Sequence, residues 1–433
     1  CALTPDGPRQ QNSESLDGAR REVRMRWLSI AVAALSAACS DGARDHPSTV
    51  LRDSAGVRIA TTDARGVPGA ASYSSVGAPS LRIGGPSDSA SYDGDLFRVA
   101  SARILDDNRI AVLQGDHELR LYGPEGLLEA VVGGRGEGPG EFLLATDLQE
   151  LPDGSLAVWD ASLGRLSLFS SEAQFVRSIR LDLDRFALRF PAVLQIRPES
   201  RWRLIDERAL LVFDYSFDGM PDEGPGRPTV SYVVIDLDGE RADTLGSYGG
   251  IEQTRLPNPS RAVVAALDAD DTHVALDEGA GRIYVADGGL DHIDRFDASG
   301  RLDLRIVLRE VDRSPDPSRM EAAGRRAIED LERRGVSVPQ GAIEDLASGD
   351  RAPAFRGLAP DDQGQLWVRW GQQPNSAVAL YAVFDAEGRF LGSVSLPDHD
   401  RILHIARGRI VLLQRSSLDV ETIAVHELVV EAG

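Results

Sequence analysis

Four aspartates recur at one phase of the chain. Asp116, Asp160, Asp214 and Asp287 each follow an apolar Ile/Leu-x-Val core by two to four residues. Carboxylates are hard oxygen ligands, and a ring of them brought to one place would suit Ca²⁺. Aspartate at a strand-to-loop junction also forms turns by bonding its own backbone, so the same residues have a structural reading. Of the seven histidines (His46, His117, His273, His292, His399, His404 and His426), only His117 and His292 occupy similar places, at the start of the strand after such an aspartate. Trp370 stands at a loop mouth, where an indole could stack on a sugar or a peptide, although packing in the core or at the rim is the commoner duty of such a residue. Other chemistry is excluded by its missing parts. There is no His-Glu-x-x-His, no Gly-x-Ser-x-Gly and no cysteine after Cys39, while Asp268-Ala269-Asp270-Asp271 lacks the glycine of a calcium loop.

Positioning such residues requires a repeating scaffold. The apolar core occurs at Ile110 to Val112, Leu156 to Val158, Leu210 to Val212, Ile283 to Val285, Leu366 to Val368 and Ile410 to Leu412, with an undecorated period of about 45 residues. A second phrase follows it, an aromatic or Ile and then Gly or Ala four places on: Tyr122 to Gly126, Phe169 to Ala173, Ile235 to Gly239, Phe296 to Gly300 and Phe384 to Gly388. The residues between are turn formers joining antiparallel strands. The last unit runs out of chain after three strands, whereas Leu81-Arg82-Ile83-Gly84-Gly85 matches the outer-strand phrase Ala130-Val131-Val132-Gly133-Gly134. Pairing the early strand onto the last sheet would close the ring and remove an open edge. The expected fold is all-β: a six-bladed β-propeller of four-stranded antiparallel blades, its N-terminal strand closing the last blade.

Insertions at 184–200, 215–229, 246–271 and 310–354 belong to two loop classes that emerge on one side, so that face is decorated. The 310–354 insertion is predicted to be helical. Asp316 serves as N-cap, Pro317 suits the first turn, Met320, Ala327, Ile328 and Leu331 make an apolar stripe, and Gly335 is a stop signal. A helix there is expected to lie across the ring as a lid.

The phrase Val285-Ala286-Asp287 followed by Asp291-His292-Ile293-Asp294-Arg295-Phe296-Asp297-Ala298-Ser299-Gly300 resembles the NHL repeat. Gly133-Gly134-Arg135-Gly136-Glu137-Gly138-Pro139-Gly140-Glu141-Phe142 is similar to the glycine-rich loop between NHL blades, and the likeness covers residues 81 to 430. The resemblance is to bacterial six-bladed propeller lipoproteins with NHL-like repeats. It implies that a His at the position of His117 and His292 belongs to the repeat itself. Related gluconolactonases and peptidylglycine-type lyases hold a metal in the central channel with carboxylate, Asn or His ligands. Here the blades and their loops offer only Asn108, Asn258 and Asn375. The glycine loop leads into a strand and carries no Lys, which argues for a tight crossover between blades and against a phosphate cradle.

Composition supplies an address. Met25-Arg26-Trp27 opens a basic start, Leu28 to Leu35 is apolar, and Ser36-Ala37-Ala38 precedes Cys39. The apolar run is shorter than the roughly 20 residues a membrane-spanning helix needs. Leu35-Ser36-Ala37-Ala38-Cys39 resembles a bacterial lipobox, which implies cleavage before Cys39 and lipidation of its thiol. Ser40 in the next place implies the outer membrane. The organisation expected is thus a gene-model extension (1–24), a lipoprotein signal peptide (25–38), a tether (39–55) and a propeller (56–433). A formal charge of -21 over 433 residues argues against nucleic acid. The leading expectation is a non-enzymatic, membrane-tethered monomer that binds a protein, peptide or glycan, without a cofactor unless Ca²⁺ occupies the aspartates. The alternative is a metal-dependent, lactonase-like hydrolase or lyase with its site in the channel.

Overall fold

Each apolar triplet of the repeat is the second strand of a sheet. Those strands are Ile110–Gln114, Leu156–Asp160, Arg208–Ser216, Arg282–Asp287, Leu366–Trp370 and Arg409–Arg415. In a computed structural model, residues 47–85, 96–181, 203–205, 208–238, 241–255, 263–265, 269–333, 351–371 and 377–430 are described. Residues 1–46, with the signal segment and Cys39, lie outside them, as do 184–200, 334–350, Trp202, Asn258 and Asn375.

The second strands are apolar along their length because sheets cover both of their faces; Ile110–Gln114 and Leu156–Asp160 are buried at every residue. Outer strands alternate instead, as in Leu128–Gly133, since only one of their faces is covered. Successive sheets share hydrophobic cores. One core joins Leu105, Leu113 and Leu121 to Phe142, Leu148, Val158 and Phe169, and another joins Ile104, Val112 and Tyr122 to Ile83, Val411 and Val425. Each large side chain in these cores contributes roughly 1.5–3 kcal/mol by leaving water.

The fold is an all-β propeller, and its last sheet is completed from the other end of the chain. Ser74–Gly84 lies antiparallel to Glu421–Val430, with Ile83 opposite Ile423 and Leu81 opposite Val425. The blade count differs from the sequence expectation of six four-stranded blades. Five sheets are four-stranded, whereas the 272–309 meander belongs to a six-stranded sheet. Its outer strand Leu302–Arg309 accepts Val57–Asp63 in parallel, and Thr49–Ser54 folds back on that strand. Thr61 opposite Val307 and Ala60 opposite Ile306 set the register, and Ala60 is fully buried. Residues 49–54, assigned to the tether from sequence, are therefore strand. Their β-branched and alternating pattern had a sheet edge to pair with, which a local reading does not reveal.

The insertions hold their own structure. Gly224–Gly226, Gln253–Arg255 and Val263–Ala265 form a three-stranded sheet. Pro317–Arg333 is the expected helix, with the Asp316 carboxylate accepting from the Ser318 amide at 2.9 Å and Leu331 buried.

Candidate functional site

The inner strands of the sheets are Ser101–Ile104, Ala145–Glu150, Arg203–Ile205, Thr272–Asp277, Phe355–Pro360 and Arg401–Ala406. All six contribute to one cavity of about 350 Å³. It opens among the loops that follow those strands, lined there by Asp106, Glu150, Pro152, Gly279, Asp362 and Arg407. This is the end of the channel opposite the second-strand termini, where the sequence placed its candidate ligands.

Polar side chains interrupt the apolar inner strands to line this space. Arg103 sits between Ala102 and Ile104, Gln149 follows Leu148, and His404 sits between Leu403 and Ile405. Arg103 Nη2 donates to Glu278 Oε2 at 2.5 Å and Nη1 donates to the Leu148 carbonyl at 3.3 Å. Arg203 pairs with Asp147 and lies 3.7 Å from Glu278 Oε1, so Glu278 bridges the two guanidiniums. Gln149 donates to the Leu204 carbonyl at 3.0 Å and accepts from the Leu204 amide at 2.9 Å, stitching the second sheet to the third. Burial lowers Arg203 to about 10, opposed by Glu278 and assisted by Arg103.

Among the described residues, His404 is the one imidazole of the cavity lining. Its Nδ1 accepts from the Ile104 amide at 3.2 Å, and its Nε2 lies 3.2 Å from Arg103 Nη2. Burial holds its pKa well below 6.5, and Arg103 and Arg203 lower it further, so the ring is neutral at neutral pH. Toward the mouth, burial raises Glu150, Asp277 and Asp361. Nearby carboxylates add to this, Asp106 for Glu150, Glu278 for Asp277 and Asp362 for Asp361. The arrangement can hold a polar ligand of small-molecule size, with an imidazole and two guanidiniums paired to Glu278 and Asp147 deep in the channel and further carboxylates at its opening.

Of the four repeated aspartates, Asp116, Asp160 and Asp287 are placed separately, and none of these three is among the described residues that line the cavity. Asp160 is fully buried and accepts from the amides of Leu143 at 2.7 Å, Leu144 at 3.3 Å, Ser162 at 3.0 Å and Leu163 at 3.0 Å. Asp287 accepts from Arg227 at 2.8 Å, the Gly249 amide at 3.0 Å and the Gly289 amide at 2.8 Å. Asp116 pairs with Arg98 at 2.6 Å. Asp214 lies in the strand Arg208–Ser216, and its side chain is outside the described atoms. Among the described residues, no group of three or more His, Cys, Asp or Glu side chains is arranged to hold a metal ion.

On that decorated face the charges tie insertions together. Arg227 comes from 215–229, Gly249 and Asp270 from 246–271, and Arg313 from 310–354. Arg313 Nη2 donates to Asp270 Oδ1 at 3.0 Å and to the Gly288 carbonyl at 3.0 Å, beside the Asp287–Arg227 pair. Asp287 is thus an anchor for loops.

His117 and His292 do not meet the cavity lining either. His292 Nε2 is 3.9 Å from Asp294, and the His117 carbonyl accepts from the Gly134 amide at 2.8 Å. That bond opens the glycine loop, which closes on itself through the Phe142 amide and the Gly134 carbonyl at 2.8 Å and buries the Phe142 ring. The loop is a crossover between sheets, as its lack of Lys implies. Trp370 takes the packing alternative: it is 1% exposed, sits with Phe355 and Ala354 in a core, and offers no face to a sugar. Arg103, Arg203, Glu278 and His404 were missed as a group. Their signal in the sequence is a polar or charged residue within an apolar inner strand or at its end, repeated in different sheets.

No protein-family model matches the chain, and no curated protein matches it. Solved structures resemble it at low identity. A member of the duf4221 family from Bacteroides vulgatus gives a TM-score of 0.49 at 9% identity, over 83% of this chain and 99% of that one. A candidate exported protein from Bacteroides fragilis gives 0.45 at 11%, over 83% and 96%. Virginiamycin B lyase from Staphylococcus aureus gives 0.35 at 9%, over 78% and 98%.

Proposed function

We propose that the protein is a binding propeller of the cell envelope, tethered through lipidated Cys39 at the outer membrane, that takes a peptide, a glycan or a small polar ligand into its axial cavity. One observation carries this reading: the inner strands of every sheet in the ring converge on a single cavity of about 350 Å³ that combines guanidinium, imidazole and carboxylate groups. Pockets of this size and mixed lining are where propellers and other folds hold ligands. The 272–309 meander counts as a sixth blade in this reading, because its Val285 and Phe296 pack on Val234 of the preceding sheet while its Tyr284 and Ile306 pack on Phe355 and Val368 of the next. Among the described residues no helix is long and apolar enough to cross a membrane, and attachment is assigned to the lipid.

The test is a cavity-filling change. Ala275 lines the cavity and is 5% exposed, so Ala275→Phe places a ring in the channel. Ligands found by thermal shift over a panel of peptides, glycans and polar metabolites are expected to lose binding to Ala275→Phe and to keep it in Arg313→Gln on the decorated face. The opposite pattern would sink the axial reading. A lyase or hydrolase is the second reading, favoured by His404 beside Arg103, where an imidazole N–H next to a guanidinium makes two donors able to stabilise a developing oxyanion. Turnover of a lactone and lyase substrate panel that is lost in His404→Gln would support it.

A further inference from the structure

The chain covers part of its own rim with an N-terminal strap. Val57–Asp63 adds in parallel to the outer strand of the 272–309 meander, whose Leu304, Ile306 and Leu308 are fully buried. The strap then crosses to the outer strand Phe390–Pro397 of the next sheet, where the Tyr73 amide donates to the Ser393 carbonyl at 2.8 Å and the Ser393 amide donates to the Ala71 carbonyl at 3.2 Å. Gly388 makes room for it, since a Cβ there would sit 2.8 Å from the Ala60 side chain. Beyond this the strap becomes Ser74–Gly84, the outer strand of the last sheet. An outer strand of this fold therefore accepts an added strand through its backbone.

The second sheet has an outer strand without such a cover. Phe175–Arg180 ends its sheet, and among the described residues no strand pairs with its free edge. Its sequence, Phe-Val-Arg-Ser-Ile-Arg, is exposed at every position except Ile179, with Phe175 37% and Val176 58% accessible. The Phe175 ring is nonetheless held in place, edge-on to Phe169 at 5.8 Å. Arg177 and Arg180 have no carboxylate or hydrogen-bond partner for their guanidiniums among the described residues, unlike Arg103, Arg203, Arg227 and Arg313. An open apolar edge is a template for another strand, and the charges along it decide which one.

A second copy of this chain fits the edge poorly. In two-fold antiparallel pairing, opposed residues lie on one face, so their numbers share parity. With Phe175 opposite Ile179 of the copy, Arg177 meets its own twin; two residues along, Arg177 faces Ile179 and Arg180 faces Val176, and both cations stay unanswered. Each copy also brings a formal charge of -21.

We infer that the free edge of Phe175–Arg180 docks an extended segment of another protein that combines apolar and acidic side chains, the acidic ones opposite Arg177 and Arg180 and the apolar ones opposite Phe175, Val176 and Ile179. Backbone hydrogen bonds supply the attachment, as they do for Val57–Asp63, and the two arginines supply the choice of partner. This surface lies on the rim, and its test is independent of the axial cavity.

Fluorescence anisotropy on the purified protein tests it with two dye-labelled peptides. Glu-Val-Thr-Glu-Val-Val matches the edge antiparallel and Val-Val-Glu-Thr-Val-Glu matches it in parallel; each is compared with its Lys-for-Glu counterpart. Amides along a strand point alternately to either side, so the outward ones among residues 175–180 report on the edge by hydrogen exchange. Expected are saturable binding of one Glu peptide, slower exchange of those outward amides in its presence, and binding of its Lys counterpart weaker by roughly tenfold. Replacing both exposed arginines, Arg177→Glu with Arg180→Glu, should reverse the preference toward the Lys peptide, with circular dichroism checking that the fold is kept. The inference is overturned if neither Glu peptide binds, if the preference does not reverse in the folded double variant, or if binding leaves exchange at 175–180 unchanged. Protection of every amide from 175 to 180 in the free protein would overturn it too, because the chain then covers this edge itself. So would a dimer in sedimentation that the double variant abolishes, since a second copy is then the occupant.

Discussion

Replacing Asp160 separates a structural carboxylate from a metal ligand. In the protein Asp160 Oδ2 takes the Leu143 amide and Oδ1 takes the amides of Leu144, Ser162 and Leu163, at 2.7 to 3.3 Å and out of contact with solvent. Asp160→Asn preserves the shape and leaves one oxygen. That oxygen can keep the three amides of Oδ1 as neutral hydrogen bonds, while the new NH₂ faces the Leu143 N–H, donor to donor. The loss of a charge-assisted bond is about 1.5–3 kcal/mol, and weakening of the other three adds a comparable fraction, for a total of about 3 kcal/mol. Asp160→Ala orphans all four amides and costs about 5 kcal/mol. Urea unfolding followed by fluorescence reads this directly, because buried Trp159 is the preceding residue. The loss should be the same in EDTA and in millimolar Ca²⁺. An Asp160→Asn protein as stable as its parent in EDTA, but deprived of a Ca²⁺-dependent gain that the parent shows, would refute this reasoning and restore Asp160 as a ligand.

Other outcomes follow from the same geometry. Gly133→Ala should destabilise by about 2 kcal/mol or more and loosen the crossover, since a Cβ at φ 106° would sit 2.4 Å from the His117 carbonyl oxygen; hydrogen exchange over residues 133–142 checks it. Because the folded pKa of His404 is held below its unfolded value, the unfolded state takes the extra proton first as pH falls below about 6.5, so His404 contributes a loss of stability on the acid side. The difference in stability between pH 7.5 and pH 5 should be smaller in His404→Gln than in the parent by up to about 1.4 kcal/mol per pH unit, read from urea midpoints at each pH. Asp287→Asn should free Arg227 and the 246–250 segment, raising exchange there and in 288–289 with little change at Asp160. Ile83→Ala, which opens a cavity where the early strand meets the last sheet, should cost about 2–4 kcal/mol, and equilibrium unfolding measures it.

The sequence by itself determined the repeat. A period of about 45 residues, apolar second strands and turn residues at fixed offsets are local properties, and they produce the sheets wherever the chain runs. It also determined the closing strand, because Leu81 to Ile83 has the outer-strand pattern without its own inner strands, and the helix at Pro317–Arg333, because cap and stripe are short-range signals. Tertiary structure alone decided where the hairpin 49–63 docks, since parallel pairing to Leu302–Arg309 joins segments more than two hundred residues apart and leaves no mark on either. It decided the fate of the aspartates as well. Asp160 and Asp287 share a phase in the repeat, yet one accepts from four backbone amides while the other accepts from two amides and from Arg227, because the neighbouring loops differ. The candidate site was the least legible part. Arg103, Arg203 and His404 come from the inner strands of three sheets and Glu278 from the residue that follows a fourth, and such polar residues gain their meaning only when closure of the ring sets those strands side by side around one axis.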